Sequence, residues 1–257
     1  MRELAVIADL NQIEVLGILD HHYWGNTDQL KGIPFIGDER WLLDSTNSQA
    51  QKWLAQCDFF VASYSLGSQH LNDPGPDLTE LRLQRIDILE KMQARVINLI
   101  HPGAQTPARY ISKYSNYQLG KGILIDIGNL HCAADIEIGD YTVCGAYSNI
   151  GHDTKIGKNV VLGPWSRMSQ CVIGDNTFIG AQSCVYPWET GQLTEYRHRQ
   201  HQHQSPTVIV GTNCTIWPNS KVFKDVKDNA MHTTDGRILA KLKYLAKNSN
   251  NPTVSQV

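Results

Sequence analysis

The sequence predicts a two-part chain: an α/β domain with a small Rossmann-type parallel sheet over residues 1–100, then a parallel β-helix over 101–235, closed by a C-terminal helix and tail over 236–257. Three observations predict it. Short apolar runs alternate with helix-like segments in the first hundred residues, which is the pattern of an open parallel sheet. From about residue 119 the texture changes, and from Ile138 an apolar residue recurs at steps of six, a period that fits neither an α-helix at 3.6 nor a strand at 2. At the end, "GRILAKLKYLAKN" (236–248) carries Ile238, Leu239, Leu242 and Leu245 at helical spacing.

The elements of the first part follow in order. "MRELAVIADL" reads as a helix, so the sheet lacks, within this sequence, the first strand and the glycine loop that would cradle a phosphate at a helix N-terminus; no G-x-G-x-x-G occurs anywhere. "IEVLGILD" (13–20), "IPFIG" (33–37), "CDFFVAS" (57–63) and "ARVINLI" (94–100) read as strands. "DERWLLD" (38–44) and "DLTELRLQRIDILEKM" (77–92) read as helices, the second with Leu81, Leu83, Ile86 and Leu89 on a broad apolar face.

In the second part Ile138, Cys144, Ile150, Ile156, Leu162 and Met168 stand six apart. After one skipped residue Ile173, Ile179 and Val185 resume the step, and Val210, Ile216 and Val222 continue it beyond an interruption. All twelve are apolar in a chain that is 41% hydrophobic. Such a hexad builds one flat face and a corner, its aliphatic residue pointing inward; three hexads close one coil, and residues 119–226 predict about five stacked coils. The interruption, residues 187–207, reads as a polar loop inserted at a corner.

Composition narrows the function classes. A net charge of -2 without a basic stripe argues against a nucleic-acid partner, and no run of eighteen apolar residues spans a membrane. The N-terminus has no secretory signature, so the expected setting is cytoplasmic. The six cysteines include no C-x-x-C and are expected as reduced, mostly buried thiols.

The repeat of an aliphatic residue, glycine and four variable residues resembles the left-handed β-helix acyltransferases. The whole chain is similar, over about residues 1–230, to the sialic acid and bacillosamine-pathway sugar O- or N-acetyltransferases. "VLGILDHHYWGNTDQLKGIPFIGDERWL" resembles that family's strand, acidic turn and following helix. "LIHPGA" (99–104) resembles its junction, and "NIGHDTKIGKNV" its corner, where a His is followed by an acidic residue.

The resemblance implies a left-handed coil, a homotrimer, acetyl-CoA as co-substrate, and an amino or hydroxyl group of a nucleotide-linked amino sugar or sialic acid as acceptor. It also implies that His152 is the general base. That role requires a neutral imidazole held in one tautomer, and Asp153 is the expected orienter. Because successive residues of a strand point to opposite faces, a His152–Asp153 contact requires the corner to turn between them.

Gly180 and Ala181, in "FIGAQSC" (178–184), are the expected contacts of the acetyl-CoA arm, with Gly180 alternatively serving only a tight corner. The chain departs from the family in placing Val161 where many members have a second histidine. Its "GPWSRMSQC" is one residue short, with Pro164 and Trp165 in place of small residues.

No metal site is expected. His198, His201 and His203 in the insertion lack acidic or thiolate support and read as part of a solvated loop, with Arg197 and Arg199 near CoA phosphates as an alternative. Two other classes remain open at this point: an inactive trimeric scaffold of the same fold, and a γ-type carbonic anhydrase, for which His131 and His152 are too widely spaced.

Overall fold

The computed structural model describes residues 2–21, 29–30, 32–62, 78–107, 116–132, 134–187 and 207–240. Contacts divide the chain into two compact units: Met1–Pro102 with Lys121–Ile125, and Gly103–Gly120 with Asp126–Val257. Among the described residues no helix is long and apolar enough to cross a membrane.

In the first unit the helix Arg2–Leu10 buries Leu4, Ile7 and Ala8, which one turn of spacing places on a single face. It stops at Gln12, whose φ of 59° is left-handed. The Ile13 N–H then donates to Ala8 O and the Gln12 N–H to Asp9 O, satisfying the last carbonyls.

Ile33–Gly37 is the centre of a three-stranded sheet, parallel to Ile18–Leu19 and antiparallel to Gln29–Leu30. Leu99–Ile100 pairs in parallel with Leu124–Ile125, and the expected strand at 57–63 contributes one parallel bridge, Phe59 to Val96. Among the described residues the three-stranded sheet, the Phe59–Val96 bridge and the Leu99–Ile100 pairing are not joined into one parallel sheet.

In this unit one expected helix is of the 3-10 type, one helix was not expected, and the buried face of a third is corrected at Leu83. Residues 38–44 hold a 3-10 helix, Glu39–Leu43, capped by Asp38, whose side chain accepts from the Arg40 N–H. A helix at Ser48–Gln56, capped by Asn47, has Ala50 as its buried residue and so offers no apolar stripe to read. In the helix Leu78–Lys91, Leu81, Ile86, Ile88 and Leu89 are buried but Leu83 is exposed, because at about 100° per residue it falls beyond the arc that runs from Ile88 through Leu81 and Leu89 to Ile86. Arg82 is buried there and donates to Val61 O at 3.1 Å.

The second unit is a three-faced coil of short parallel strands. One face stacks Leu130–His131, Asn149–Ile150, Arg167–Met168, Cys184–Val185 and Lys221–Val222. The next stacks Tyr117–Leu119, Ile136–Ile138, Thr154–Ile156, Cys171–Ile173 and Val208–Val210. The third runs from Val143–Cys144 through Val161–Leu162, Phe178–Ile179 and Thr215–Ile216 to Ala230–His232.

Ile156 pairs with Ile138, eighteen positions back, as Leu162 does with Cys144. From Met168 to Ile173 the register loses one residue, so Ile173 pairs with Ile156 at seventeen. All twelve hexad residues are buried, so the six-residue period is the inward column of this coil. Each fully buried aliphatic side chain contributes about 1.5–3 kcal/mol relative to exposure.

Each corner turns through a left-handed residue: Asp135, Tyr141, Tyr147, Asp153, Asn159 and Trp165, then Gln170, Asn176 and Gln182, then Asn213 and Asn219. The residue that follows is small and buried at almost every corner, as at Thr142, Ser148, Thr154, Ser166, Thr177 and Ser183. Three of these hydroxyls donate to a carbonyl of the coil above, Thr142 to Gly157 at 2.9 Å, Thr177 to Gly211 at 2.9 Å and Ser183 to Trp217 at 2.8 Å. These three hydroxyls are thereby satisfied inside the wall.

Cys171 and Cys214 take the same place in the hexad, and Cys144 an inward one. All six cysteines are free, three of them buried, two half-buried and Cys132 exposed. Burial pushes the Cys144 and Cys171 thiols up to about 12.

The C-terminal helix expected from residue 236 is not formed where the chain is described. Ile238–Ala240 is a strand, antiparallel to Ala230–His232. The last coil presents an open strand edge, and Thr233–Gly236, with Gly236 at φ 84°, turns the chain back onto it; the Gly236 N–H donates to Thr233 O. The remainder, 241–257, lies outside the described residues.

Candidate active site

His152 stands on the corner between Asn149–Ile150 and Thr154–Ile156. Gly151 precedes it and must lack a side chain, since a Cβ there would overlap the Ser169 hydroxyl of the next coil. Asp153 follows in the left-handed region at φ 53°, and this turn brings its carboxylate back to the preceding ring. His152 Nδ1 and Asp153 Oδ2 are 2.8 Å apart.

With a carboxylate at Nδ1, that nitrogen carries the proton, and the lone pair stands on Nε2. The side chains are 48% and 45% exposed, so the dyad faces outward. The carbonyl of His152 accepts from the Gln170 N–H at 3.0 Å and from Thr154 Oγ1 at 3.2 Å, fixing the backbone that carries the imidazole.

The corner above is the one that loses a residue: Ser169 and Gln170 alone join Met168 to Cys171. One coil further on, at this same corner, Tyr186 leads into the insertion and the chain re-enters at Val208, which pairs with Cys171. The missing residue thus belongs to the His152 corner and not to the Pro164–Trp165 corner. The insertion, with Arg197, His198, Arg199, His201 and His203, lies outside the described residues apart from its two ends.

Gly180 and Ala181 are on a different corner, following Phe178–Ile179. Gly180 N–H donates to Ile216 O at 2.8 Å, and a Cβ on Gly180 would overlap Pro218 N. Close stacking of the next coil therefore requires glycine there, whatever else it touches. Ala181 is half-buried, its carbonyl accepting from the Asn219 N–H at 2.9 Å.

The chain does not bring Gly180–Ala181 together with His152–Asp153. The left-handed residues of these two corners, Tyr147 and Asp153 within one coil, are six residues apart along one face, on the order of 15–20 Å of extended chain. On the Gly180 corner, Tyr147 and Trp165 are exposed and stacked, ring centroids 4.5 Å apart and planes at 10°.

His131 takes an inward position opposite Ile150, and its Nδ1 is 2.8 Å from the Tyr117 hydroxyl. Burial lowers its pKa to about 4. Enclosed within the coil while His152 faces outward, it cannot share a metal with it, which removes the carbonic anhydrase pairing.

Sequence reasoning missed a polar cluster in the first unit. The His21 N–H and ring both meet Glu39, at 2.6 and 2.7 Å, and Arg85 joins Glu39 at 3.0 Å to Asp20 at 2.9 Å. Burial pushes the Glu39 carboxyl up, but the His21 hydrogen bond and the Arg85 guanidinium outweigh it and hold the group below its ordinary value. Ligand atoms of His21, Asp38 and Glu39 lie within 4.8 Å of one another. Arg85 on Glu39 and Arg40 on Asp38 already supply the positive charge a cation would bring. The spacing of single polar residues across 65 positions leaves no mark in a sequence.

Residues 135–170, which contain both the dyad and the short corner, match the family of bacterial transferase hexapeptide (six repeats). Over 124 residues, 46% of the chain, the sequence is 25% identical to the bifunctional protein GlmU of Clostridium botulinum (strain Langeland / NCTC 10281 / Type F). The chain spans about a quarter, 26%, of that relative's length.

Among solved structures, PerB from Caulobacter crescentus in complex with CoA and GDP-perosamine matches with a TM-score of 0.67 at 19% identity, over 93% of this chain and 91% of that one. The acetyltransferase domain of PglB from Neisseria gonorrhoeae FA1090, in complex with acetyl coenzyme A, matches at 0.65 and 18%, over 93% of each. WeeI from Acinetobacter baumannii AYE matches at 0.61 and 18%, over 91% of each. The chain is a hexapeptide-repeat β-helix protein. It shares the fold of these structures, two of which hold CoA or acetyl-CoA.

Proposed function

We propose that the chain is an acetyl-CoA-dependent acetyltransferase that acetylates an amino or hydroxyl group of a sugar, either a nucleotide-linked amino sugar or a sialic acid. The observation that carries this reading is the His152–Asp153 dyad, 2.8 Å apart on an outward corner of the hexapeptide coil. Nε2 of His152 takes a proton from the acceptor's amine or hydroxyl as that atom attacks the thioester carbonyl. The carbon–sulfur bond breaks on collapse of the tetrahedral intermediate, and the proton passes to the leaving thiolate, giving acetylated sugar and CoA. Asp153 holds the imidazole in the required tautomer and offsets the charge it gains.

In this reading the coil is left-handed, residues 101–235 form the acyltransferase domain, and residues 1–100 form a Rossmann-like acceptor domain. Gly180 keeps its corner low and Ala181 meets the donor arm. A donor laid against that corner reaches His152 across one face of the coil or from a neighbouring copy, and the second arrangement is that of a homotrimer with its sites between subunits. Support for the donor comes from the fold shared with PerB and with the PglB acetyltransferase domain, which were crystallised with CoA and acetyl-CoA respectively. The proposed setting is the cytoplasm.

Calorimetric titration of acetyl-CoA into the purified chain tests the donor site, and release of CoA in the presence of amino sugars or sialic acids tests transfer. Binding to both the intact chain and His152→Ala, with transfer lost only in the variant, is the expected result. Absence of acetyl-CoA binding to the intact chain would sink the reading and leave the inactive scaffold.

A further inference from the structure

Backbone pairing sets which residues correspond between the His152 corner and the shortened one above it. Each left-handed corner residue donates its N–H to the carbonyl just before the left-handed residue of the coil below: Asp153 to Ala134, Trp165 to Ala146, Gln182 to Pro164. Gln170, at φ 48°, donates in the same way to His152 and is therefore the counterpart of Asp153. Ser169 alone stands for both Gly151 and His152, and it packs against Gly151. No residue of the next coil is left to stand over His152.

Gln170 also departs from its own column. Asp135 and Asp153 are exposed, whereas Gln170 is 2% exposed and its Oε1 has no hydrogen-bond partner. The other buried side chains with an unpartnered polar atom, among the described residues, are Ser166, Ser220, His131 and His232. The two serines belong to the small-residue column, and the two histidines pair in register with inward-facing Ile150 and Ile216. Gln170 is the one placed on the corner stacked against the dyad. A buried carbonyl oxygen left without a donor costs stability unless a ligand completes it.

We propose that Gln170 is a donor-binding residue: its Oε1 accepts a hydrogen bond from an amide N–H of the pantetheine arm of acetyl-CoA, at the shortened corner stacked against His152. This rests on the acetyltransferase reading. The chemistry matches a neutral amide donor. An extended thioester arm loses water from its amide N–H groups on entering the site, and each must regain an acceptor. A carboxamide supplies one without adding charge next to an imidazole that must remain neutral, whereas a protonated amine would call for a carboxylate.

The test is Gln170→Met, close in volume and without the acceptor, measured in the full chain by calorimetry with acetyl-CoA and by thermal unfolding without ligand. The dissociation constant is expected to rise about tenfold while the midpoint stays the same or increases, because an unsatisfied buried oxygen has been removed. Wild-type affinity in the variant overturns the proposal. So does a lowered midpoint or a chain that fails to fold, since either shows that the amide holds the corner together. If acetyl-CoA does not bind the unaltered chain, the acetyltransferase reading has failed and not this assignment alone.

Discussion

Asp153 adopts φ 53° and in doing so carries its carboxylate to 2.8 Å from Nδ1 of His152, the residue directly before it. On a flat strand the two side chains would point to opposite faces; the left-handed corner is what makes them a pair. Asp tolerates this conformation because its short polar side chain bonds locally, and the coil thus places a hydrogen-bonded His–Asp pair at a position where it needs a turn in any case.

Replacing each partner separates chemistry from folding. His152→Ala is expected to lower acetyl transfer by about 10²–10⁴-fold with acetyl-CoA affinity and thermal midpoint unchanged, as read by CoA release, calorimetry and thermal scanning. Asp153→Asn keeps the left-handed preference, so its effect should fall on kcat. Asp153→Ala should in addition destabilise the chain by about 1–2 kcal/mol in chemical denaturation.

The inward column and the outward face respond differently. Ile150→Ala removes a fully buried side chain and is expected to cost about 2–5 kcal/mol, whereas Lys155→Ala, on the exposed side of the next strand, should change stability by less than about 0.5 kcal/mol. Urea unfolding of the two variants measures both. Equal effects would contradict the coil register.

Gly180 and Ala181 are separable by the same logic. Gly180→Ala forces a Cβ into Pro218 N and is expected to destabilise the coil by about 1–3 kcal/mol with or without ligand. Ala181→Leu, at a half-buried position, should leave the thermal midpoint near that of the parent and weaken acetyl-CoA binding measured by calorimetry. Unchanged affinity in Ala181→Leu would remove this corner from the donor site.

His131 makes stability depend on pH. Its folded pKa is lowered to about 4 by burial against an ordinary 6.5, so between these values the unfolded chain binds the proton and the folded chain does not. Stability is full above about pH 6.5 and falls as pH drops towards 4, by an amount on the order of 3 kcal/mol. Denaturation midpoints across this window should flatten in a His131→Leu, Tyr117→Phe double variant, which replaces the buried pair without orphaning the tyrosine hydroxyl. A slope unchanged in the double variant would assign it to other groups.

The six-residue column, Ile138 to Val222, was readable from sequence because each hexad buries one side chain at a constant position, and periodic burial leaves a periodic mark. The dyad was legible for a related reason: it is two adjacent residues in a marked register. Other features depended on contacts that no local window contains. Leu83 had the right chemistry but the wrong rotation about its helix.

Ile238 and Leu239 fit a helix pattern, yet the open edge at Ala230–His232 took them as a strand, helped by the turn through Thr233–Gly236. By itself, then, the sequence determined the hexad repeat, the inward column and the position of His152 and Asp153 along it. Only the tertiary structure decided that Gly180 serves the coil above it, that the lost residue faces His152, and that Gln170 is buried there with its oxygen unpaired. Those outcomes are set by residues about one coil away in sequence that stacking brings into contact, and the stacking distance is a property of the closed coil and not of any single hexad.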